Sequence, residues 1–173
     1  MDMNYCMHCG TRLQMKQHDT EGLVPWCESC QAFRYPVFNT AVSLLVMDRS
    51  KSKVILIRQY GRPHYILVAG YVNRGEDAED AARRELREEM ALEAVTVQFN
   101  HSHYYAPTNT LMLNFTVTVD EEEAHPNWEV DAWRWFSFDE ARAAIRPGSL
   151  AEAFLLGALD GTYRFPVLKG DIR

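Results

Sequence analysis

The chain of 173 residues is 47% hydrophobic and carries a net charge of −6, from 18 basic and 24 acidic side chains. That much apolar chain can bury one full core with a small appendage. The acidic balance excludes a protein that works by clamping nucleic-acid phosphates, and a polyphosphate ligand must be drawn in by local cations instead of the overall field.

The first signal along the chain is cysteine spacing. Cys6-Met7-His8-Cys9 and Cys27-Glu28-Ser29-Cys30 read C-x2-C, seventeen residues, then C-x2-C. Each knuckle turns two thiolates towards one point, and two knuckles complete a tetrahedral Zn²⁺ site with no open position. A pair of disulfides is the alternative, disfavoured because MDMNYCMHCG has no signal-peptide core. About 30 residues cannot bury enough core alone, so bound zinc would supply the missing folding free energy. Residues 1–34 are therefore expected to form a zinc ribbon and residues 35–173 the main domain. No apolar run reaches the length of a membrane span, and a reducing cytoplasm is the expected compartment.

After the ribbon, residues 40–47 form a β-branched and aliphatic run, 48–53 a polar turn and 54–58 a second strand, together a hairpin. Residues 65–72 read as a third strand running into a loop at Gly70. Asp77 is placed to cap a helix ending near Met90, with Asp80 at the capping-box position. Residues 95–101 and 111–119 read as strands joined by the connecting segment 102–110, and 132–136 as a further strand. Residues 138–145 read as a short helix. Pro147-Gly148 breaks it from a last helix through Leu159, for which Ser149 and Glu152 make a capping box. Strands interleaved with helices predict an α/β fold with a mixed sheet between helical layers.

The stretch from Gly70 to Leu92, GYVNRGEDAEDAARRELREEMAL, carries the chemistry. Glu85 and Glu88 are three apart and Glu85 and Glu89 four apart, so on a helix their carboxylates share a face. Like charges stacked that way repel, and a hard divalent cation is the simplest offset. Mg²⁺ takes one or two protein carboxylates, keeps several waters and fills its remaining positions with phosphate oxygens. The bland alternative is a solvated helix laced with pairs such as Arg84–Glu88.

This spacing resembles the Nudix box, G-x5-E-x7-R-E-U-x-E-E-x-G-U, where U is a bulky aliphatic residue. Gly70, Glu76, Arg84, Glu85, Leu86, Glu88, Glu89 and Leu92 fall on its positions, and Ala91 stands where the family has glycine. Eight matches at fixed spacing behind a glycine favour the metal site over the solvated helix. The resemblance implies an α/β/α sandwich and a hydrolase that uses Mg²⁺ or Mn²⁺. It implies Glu85, Glu88 and Glu89 as catalytic carboxylates. Glu85, Glu89, Glu129 and the Ala69 carbonyl would hold the metal, and Glu88 or Glu89 would accept a proton from water. Glu76 and Arg84 would brace loop and helix.

A zinc ribbon leading into such a domain resembles the NADH pyrophosphatase branch of the family. Tyr35-Pro36 follows the last zinc cysteine as in that branch, and Tyr71 takes the place of its base-stacking aromatic. Residues 102–110, SHYYAPTNT, occupy the position of its S-Q-P-W-P-F-P-x-S signature. Ser102 matches there, Tyr105 keeps an aromatic and Thr110 replaces serine, but none of the three prolines is in place. Glu129, six residues before Trp135, matches a family metal ligand. Pro147 to Ala151 resembles a helix start whose alanine lies against the nucleotide. The resemblance thus implies Tyr35, Tyr71, His103, Tyr105 and Ala151 as substrate contacts. The implied activity is cleavage of the diphosphate in a nucleoside diphosphate linked to another moiety, a dinucleotide such as NADH or NAD⁺ giving two monophosphates. The alternatives are an ADP-ribose or FAD pyrophosphatase, an RNA 5′-cap hydrolase, or a non-catalytic nucleotide sensor. The expected partner is a small nucleotide, with no membrane and no nucleic acid other than a capped RNA end; a homodimer is the candidate assembly.

Overall fold

In the computed structural model, which describes residues 3–121 and 123–166, the chain divides between Phe38 and Asn39 into two compact units. The outer ends of both expected domains, residues 1–2 and 167–173, lie outside the described residues.

The first unit is a three-stranded antiparallel meander, β1 (Gln14–His18), β2 (Gly22–Cys27) and β3 (Ala32–Phe33), in the order β1-β2-β3. Its apolar interior is slight: Cys6, Val24 and Cys27 are its buried hydrophobic residues. Phe33 lies edge-on to both His18 and Trp26, with ring centroids 4.8 Å apart in each pair. So small a core supplies little to offset the conformational entropy of the segment.

The second unit is built on β4 (Asn39–Asp48), which is buried on both faces and reads accordingly as a continuous apolar run. β5 (Lys53–Gln59) meets it at Met47↔Val54 and then diverges, which leaves the start of β4 free to pair antiparallel with β6 (Val68–Tyr71). On its other side β4 runs parallel to β8 (Thr110–Val119) over ten residue pairs. β7 (Ala94–Tyr105) and β9 (Val130–Ser137) complete a mixed sheet ordered β7-β8-β4-β5-β9, with β6 beside β4. Alternate β4 residues feed two cores. Val42, Leu44 and Val46 pack with Ala82, Leu86 and Met90 of helix α1 (Ala78–Met90). Leu45 and Met47 pack with Ala141 of α2 (Phe138–Ala144) and with Phe154 and Leu155 of α3 (Leu150–Asp160). The sheet therefore lies between helical layers, as the sequence predicts.

Four local expectations change. The segment 102–110 is not a free connection. β7 continues to Tyr105, pairs Tyr105 with Thr110, and turns through a single 3₁₀ turn, Ala106–Thr108. The alternation of polar and aromatic residues in HSHYY suits an edge strand, and Tyr104 Oη bonds Asn109 Oδ1 at 2.7 Å across the turn. The strand expected over 65–72 is shortened to β6, with Tyr65 and Ile66 making single bridges to Ile145 and Ile57. Asp77 stands at the N-cap of α1 without a side-chain cap bond, so Asp77 and Asp80 form no capping box. At α3 the Ser149 hydroxyl accepts from Glu152 N at 3.1 Å, but Glu152 reaches back to Gly148 N instead of Ser149.

Ala91 ends α1 in the left-handed conformation, φ 54° and ψ 33°, with its N–H donated to the Arg87 carbonyl. Alanine pays there a steric cost that glycine avoids, of about 1 kcal/mol net of glycine's extra chain entropy. Ala91→Gly is expected to stabilise the protein by that amount and to raise its melting temperature by about 2–4 °C in calorimetry. A lower melting temperature would show that the turn is not strained.

Candidate active site

The acidic site forms where α1 faces the loop after β6. Arg84 organises it. Its Nε and Nη2 grip both oxygens of Glu76 at 2.7 and 2.9 Å, and Nη1 bonds Glu85 at 2.7 Å and Glu88 at 3.0 Å. Nη2 also bonds the Tyr71 carbonyl at 2.9 Å, so one guanidinium ties loop to helix. Glu76 in turn accepts from Asn73 N at 2.9 Å, and with Arg84 beside it its pKa falls to about 2. The pairing of these two residues joins loop and helix.

Glu85 lies directly against the backbone of Gly70. A Cβ built on that glycine would land on the Glu85 carboxyl group. Burial pushes the Glu85 pKa up and Arg84 opposes it. Glu89, one turn on, is 4% exposed. Burial drives its pKa up to about 7, a bond from Gln59 works the other way, and the charges of Glu85, Glu129 and Glu88 add to the rise. Its Oε2 is buried without any hydrogen-bond partner. An orphaned carboxylate oxygen among like charges costs free energy unless a cation joins it.

Glu129 arrives from the connection between β8 and β9. The last turn of α1 leaves carbonyls unpaired, and this connection satisfies them: His125 N bonds Met90 O and Asn127 N bonds Glu89 O, both at 3.0 Å. Asn127 Oδ1 then accepts from Glu129 N at 2.9 Å. Glu129 meets Tyr60, whose phenol is pushed up in pKa by burial and by its bond to that carboxylate.

Together Ala69, Gly70, Tyr71, Glu85, Glu88, Glu89 and Glu129 line one open cleft of about 470 Å³, with Gln59, Tyr60, Asn73, Arg84 and Asn127 completing it. Carboxylates gathered around an orphaned oxygen are a donor set suited to a hard divalent metal. Glu88 stands at the surface, its side chain 56% exposed, and Tyr71 is exposed with its ring beside the carboxylates' cleft. The other expected substrate contacts of the second unit are not among the residues lining this cleft. His103 stacks on Phe165, centroids 3.9 Å apart and rings 9° from parallel. Ala151, in the first turn of α3, is partly buried against the core, and Tyr105 ends β7, half-buried at the hairpin. Tyr35 belongs to the first unit and is exposed. Gln59, Tyr60, Asn73 and Asn127 join the cleft with little to mark them in one dimension.

In the first unit, the Sγ atoms of Cys6, Cys9, Cys27 and Cys30 all lie within 4.8 Å of one another. Cys9 to Cys30 is 3.3 Å, Cys9 to Cys27 3.5 Å and Cys6 to Cys30 3.9 Å. A tetrahedron of thiolates at about 2.3 Å from a central metal has edges of about 3.8 Å, so the cluster is the size such a site requires. Bonds from Thr11 draw the Cys9 thiol down to about 6. Burial pushes Cys6 up, but Arg34, whose Nε sits 3.2 Å from its sulfur, helps bring it down to about 7. Cys30, donating to Cys9, is pushed up to about 12. Two thiols are thus ready to ionise as ligands, and Arg34 is a built-in counter-charge.

The NUDIX domain family matches residues 37–154. The chain is 30% identical over 138 residues to the NAD-capped RNA hydrolase NudC of Pseudomonas aeruginosa, covering 78% of this chain and 48% of that protein. It is 34% identical over 150 residues to the mitochondrial NAD(P)H pyrophosphatase NUDT13 of Mus musculus, covering 83% and 42%. The chain thus spans less than half the length of these two relatives. Among solved structures, a NUDIX hydrolase from Nitrosomonas europaea superposes with a TM-score of 0.62 at 18% identity, over 94% of this chain and 96% of that one. The NUDIX domain of Shewanella oneidensis NrtR, solved with ADP ribose, gives a TM-score of 0.59 at 14% identity, over 79% and 91%.

Proposed function

The chain belongs to the Nudix family, and on that footing we propose that it hydrolyses the diphosphate bond of nucleoside diphosphate derivatives, with dinucleotides such as NADH or NAD⁺ as leading substrates. The observation that carries this reading is the converging set Glu85, Glu89 and Glu129 with its orphaned Glu89 oxygen. These three, with the Ala69 carbonyl, would hold Mg²⁺ or Mn²⁺. When bound, such a cation neutralises the diphosphate and acidifies the attacking water. The chain's own part is positional. Gly70 lets the Glu85 carboxylate lie against the strand, and Arg84 fixes Glu85 and Glu88 relative to each other. Glu88, exposed at the cleft, or Glu89 would take the water's proton. The exposed ring of Tyr71 offers a face for a base. No helix among the described residues is long and apolar enough to cross a membrane, and we place the protein in the cytoplasm. In this reading residues 1–34 are the zinc ribbon and 35–173 the hydrolase.

The test is a nucleotide panel. NADH, NAD⁺, ADP-ribose, FAD and an NAD-capped RNA, incubated with Mg²⁺ or Mn²⁺, should include at least one that releases monophosphate. Binding of these compounds with no hydrolysis of any would replace the enzyme with a nucleotide sensor.

Two metal predictions follow from the site. The thiol cluster would hold zinc structurally, so elemental analysis should find about one Zn per chain that survives a weak chelator able to strip Mg²⁺. Four freely titratable thiols and no zinc, in protein prepared under reducing conditions, would exclude it. The carboxylate site should bind its cation in competition with a proton. With Glu89 at about 7 in the metal-free protein, affinity should rise with pH and level off above 8. Calorimetry should show about a tenfold gain from pH 6 to pH 8. The sign for stability follows. A carboxyl whose pKa is raised by folding favours the folded state below its unfolded value of about 4.3, and that contribution is lost as pH rises through 7. The cation should restore it, and Glu89→Gln should remove the pH dependence of both quantities.

A further inference from the structure

A second cavity of about 510 Å³ adjoins the acidic cleft, and its chemistry is the opposite. It is lined by Gln59, Arg62, Pro63, His64, Ile66 and Arg146. Gln59 lines both cavities, so its buried side chain, bonded to Glu89, is the wall they share. Two segments build the basic cavity, and backbone bonds zip them together. Arg146 N donates to Tyr65 O at 3.0 Å, Tyr65 bridges Ile145, and Ile66 exchanges two bonds with Ile57. At the near end Tyr60 and Gly61 both take positive φ in a tight turn closed by Arg62 N to Gln59 O, and Asp131 accepts from Gly61 N at 2.6 Å. The cations are thus presented on a braced frame.

None of Arg62, His64 and Arg146 has a side-chain partner among the described residues. That is unexpected in a chain with 24 acidic side chains against 18 basic ones. Two guanidinium groups and an imidazole gathered without a carboxylate repel one another, and an anion removes that repulsion. The planar fork of arginine fits phosphate oxygens two at a time. The acidic cleft needs a metal before it can accept a diphosphate, whereas this cavity attracts phosphate unaided.

We propose that the Arg62/His64/Arg146 cavity is a subsite for a phosphate borne on a ribose of the substrate, additional to the diphosphate held over the carboxylates. This deepens the hydrolase reading and rests on it. Its volume suits a nucleotide-sized group. Two substrates present this chemistry next to a diphosphate: a dinucleotide with a phosphomonoester on one ribose, and a dinucleotide whose ribose continues into an oligonucleotide through a phosphodiester.

The experiment measures kcat/KM for NADH, NADPH and an NAD-capped trinucleotide, in the natural protein and in the double variant Arg62→Gln/Arg146→Gln. Both side chains are exposed at the cavity, so the fold should survive. A parallel calorimetric arm, without divalent metal, measures binding of AMP, adenosine 2′,5′-bisphosphate and adenosine 3′,5′-bisphosphate. At least one substrate with the extra phosphate should lose about tenfold or more in kcat/KM in the variant, the scale of a charge-assisted phosphate contact, while NADH stays within about twofold. The corresponding bisphosphate should bind more tightly than AMP to the natural protein only. Loss on NADPH with the 2′,5′-bisphosphate identifies the monoester. Loss on the capped trinucleotide with the 3′,5′-bisphosphate identifies the diester. Equal effects on all three substrates, or none, with no preference for a bisphosphate, overturn the subsite even if NADH is hydrolysed. Bisphosphate binding abolished in the variant, with no substrate hydrolysed, overturns the hydrolase reading and leaves the subsite standing.

Discussion

Glu85→Gln and Glu89→Gln are each expected to lower turnover on the best substrate by two to four orders of magnitude. Removing one ligand charge weakens the cation that neutralises the diphosphate, and such stabilisation is worth several kcal/mol, each 1.4 kcal/mol about tenfold in rate. The fold should hold. Glu85 is an inward member of α1 whose loss frees Arg84 to keep its two bonds to Glu76, and Glu89→Gln removes a buried charge that is destabilising without metal. Glu79→Gln, on the exposed side of the same helix, is the control and should match the natural protein. Near-normal activity in Glu85→Gln would refute the proposed metal face.

Gly70→Ala should cost nearly as much activity by a different route. The added methyl group would occupy the place of the Glu85 carboxyl, and a flexible glutamate can swing aside at modest cost to the fold. Swinging aside, however, takes the carboxylate from the cleft and breaks its bond to Arg84. The expected pattern is a loss of about a hundredfold or more in kcat and a weakened divalent-metal affinity, with a melting temperature within a few degrees of the natural protein. An active Gly70→Ala variant with unchanged metal affinity would show that Glu85 has another productive position.

Much of this site is legible in one dimension because it is local. Glu85, Glu88 and Glu89 lie within one and a half turns of a helix, so their spacing alone puts them on one face, and Gly70 and Glu76 are tied to them by a short loop. Glu129 is 40 residues from Glu89, and its place in the cleft depends on backbone bonds that no side-chain pattern advertises; its spacing to Trp135 and to Ala151 is what points to it. Tyr60 and Gln59 are less visible still. They reach the cleft because β5 ends in a left-handed turn after a register shift against β9 at Arg58/Gln59, and such irregularities follow from tertiary fit. The 102–110 segment misled for a complementary reason. A polar, aromatic edge strand looks like a loop when its pairing partner, here β8, is unknown.

The attachment of the 125–127 backbone to the end of α1 has a consequence for how this protein can vary. Because the amides of His125 and Asn127 make the bonds, the identity of His125 or Trp128 matters little to the position of Glu129. What matters is that the amides of residues 125 and 127 reach those carbonyls and that Glu129 follows at its present spacing. The His125 and Trp128 side chains are therefore free to be replaced, except by proline at 125, which would remove a donor, whereas Asn127 is held to its type by the bond its Oδ1 accepts from Glu129 N. A one-residue insertion between Asn127 and Glu129 would carry the carboxylate away from Glu89 while leaving every carboxylate of the helix in place. A sequence comparison scoring residue types alone would count such a chain as intact, although its acidic cleft had lost one wall.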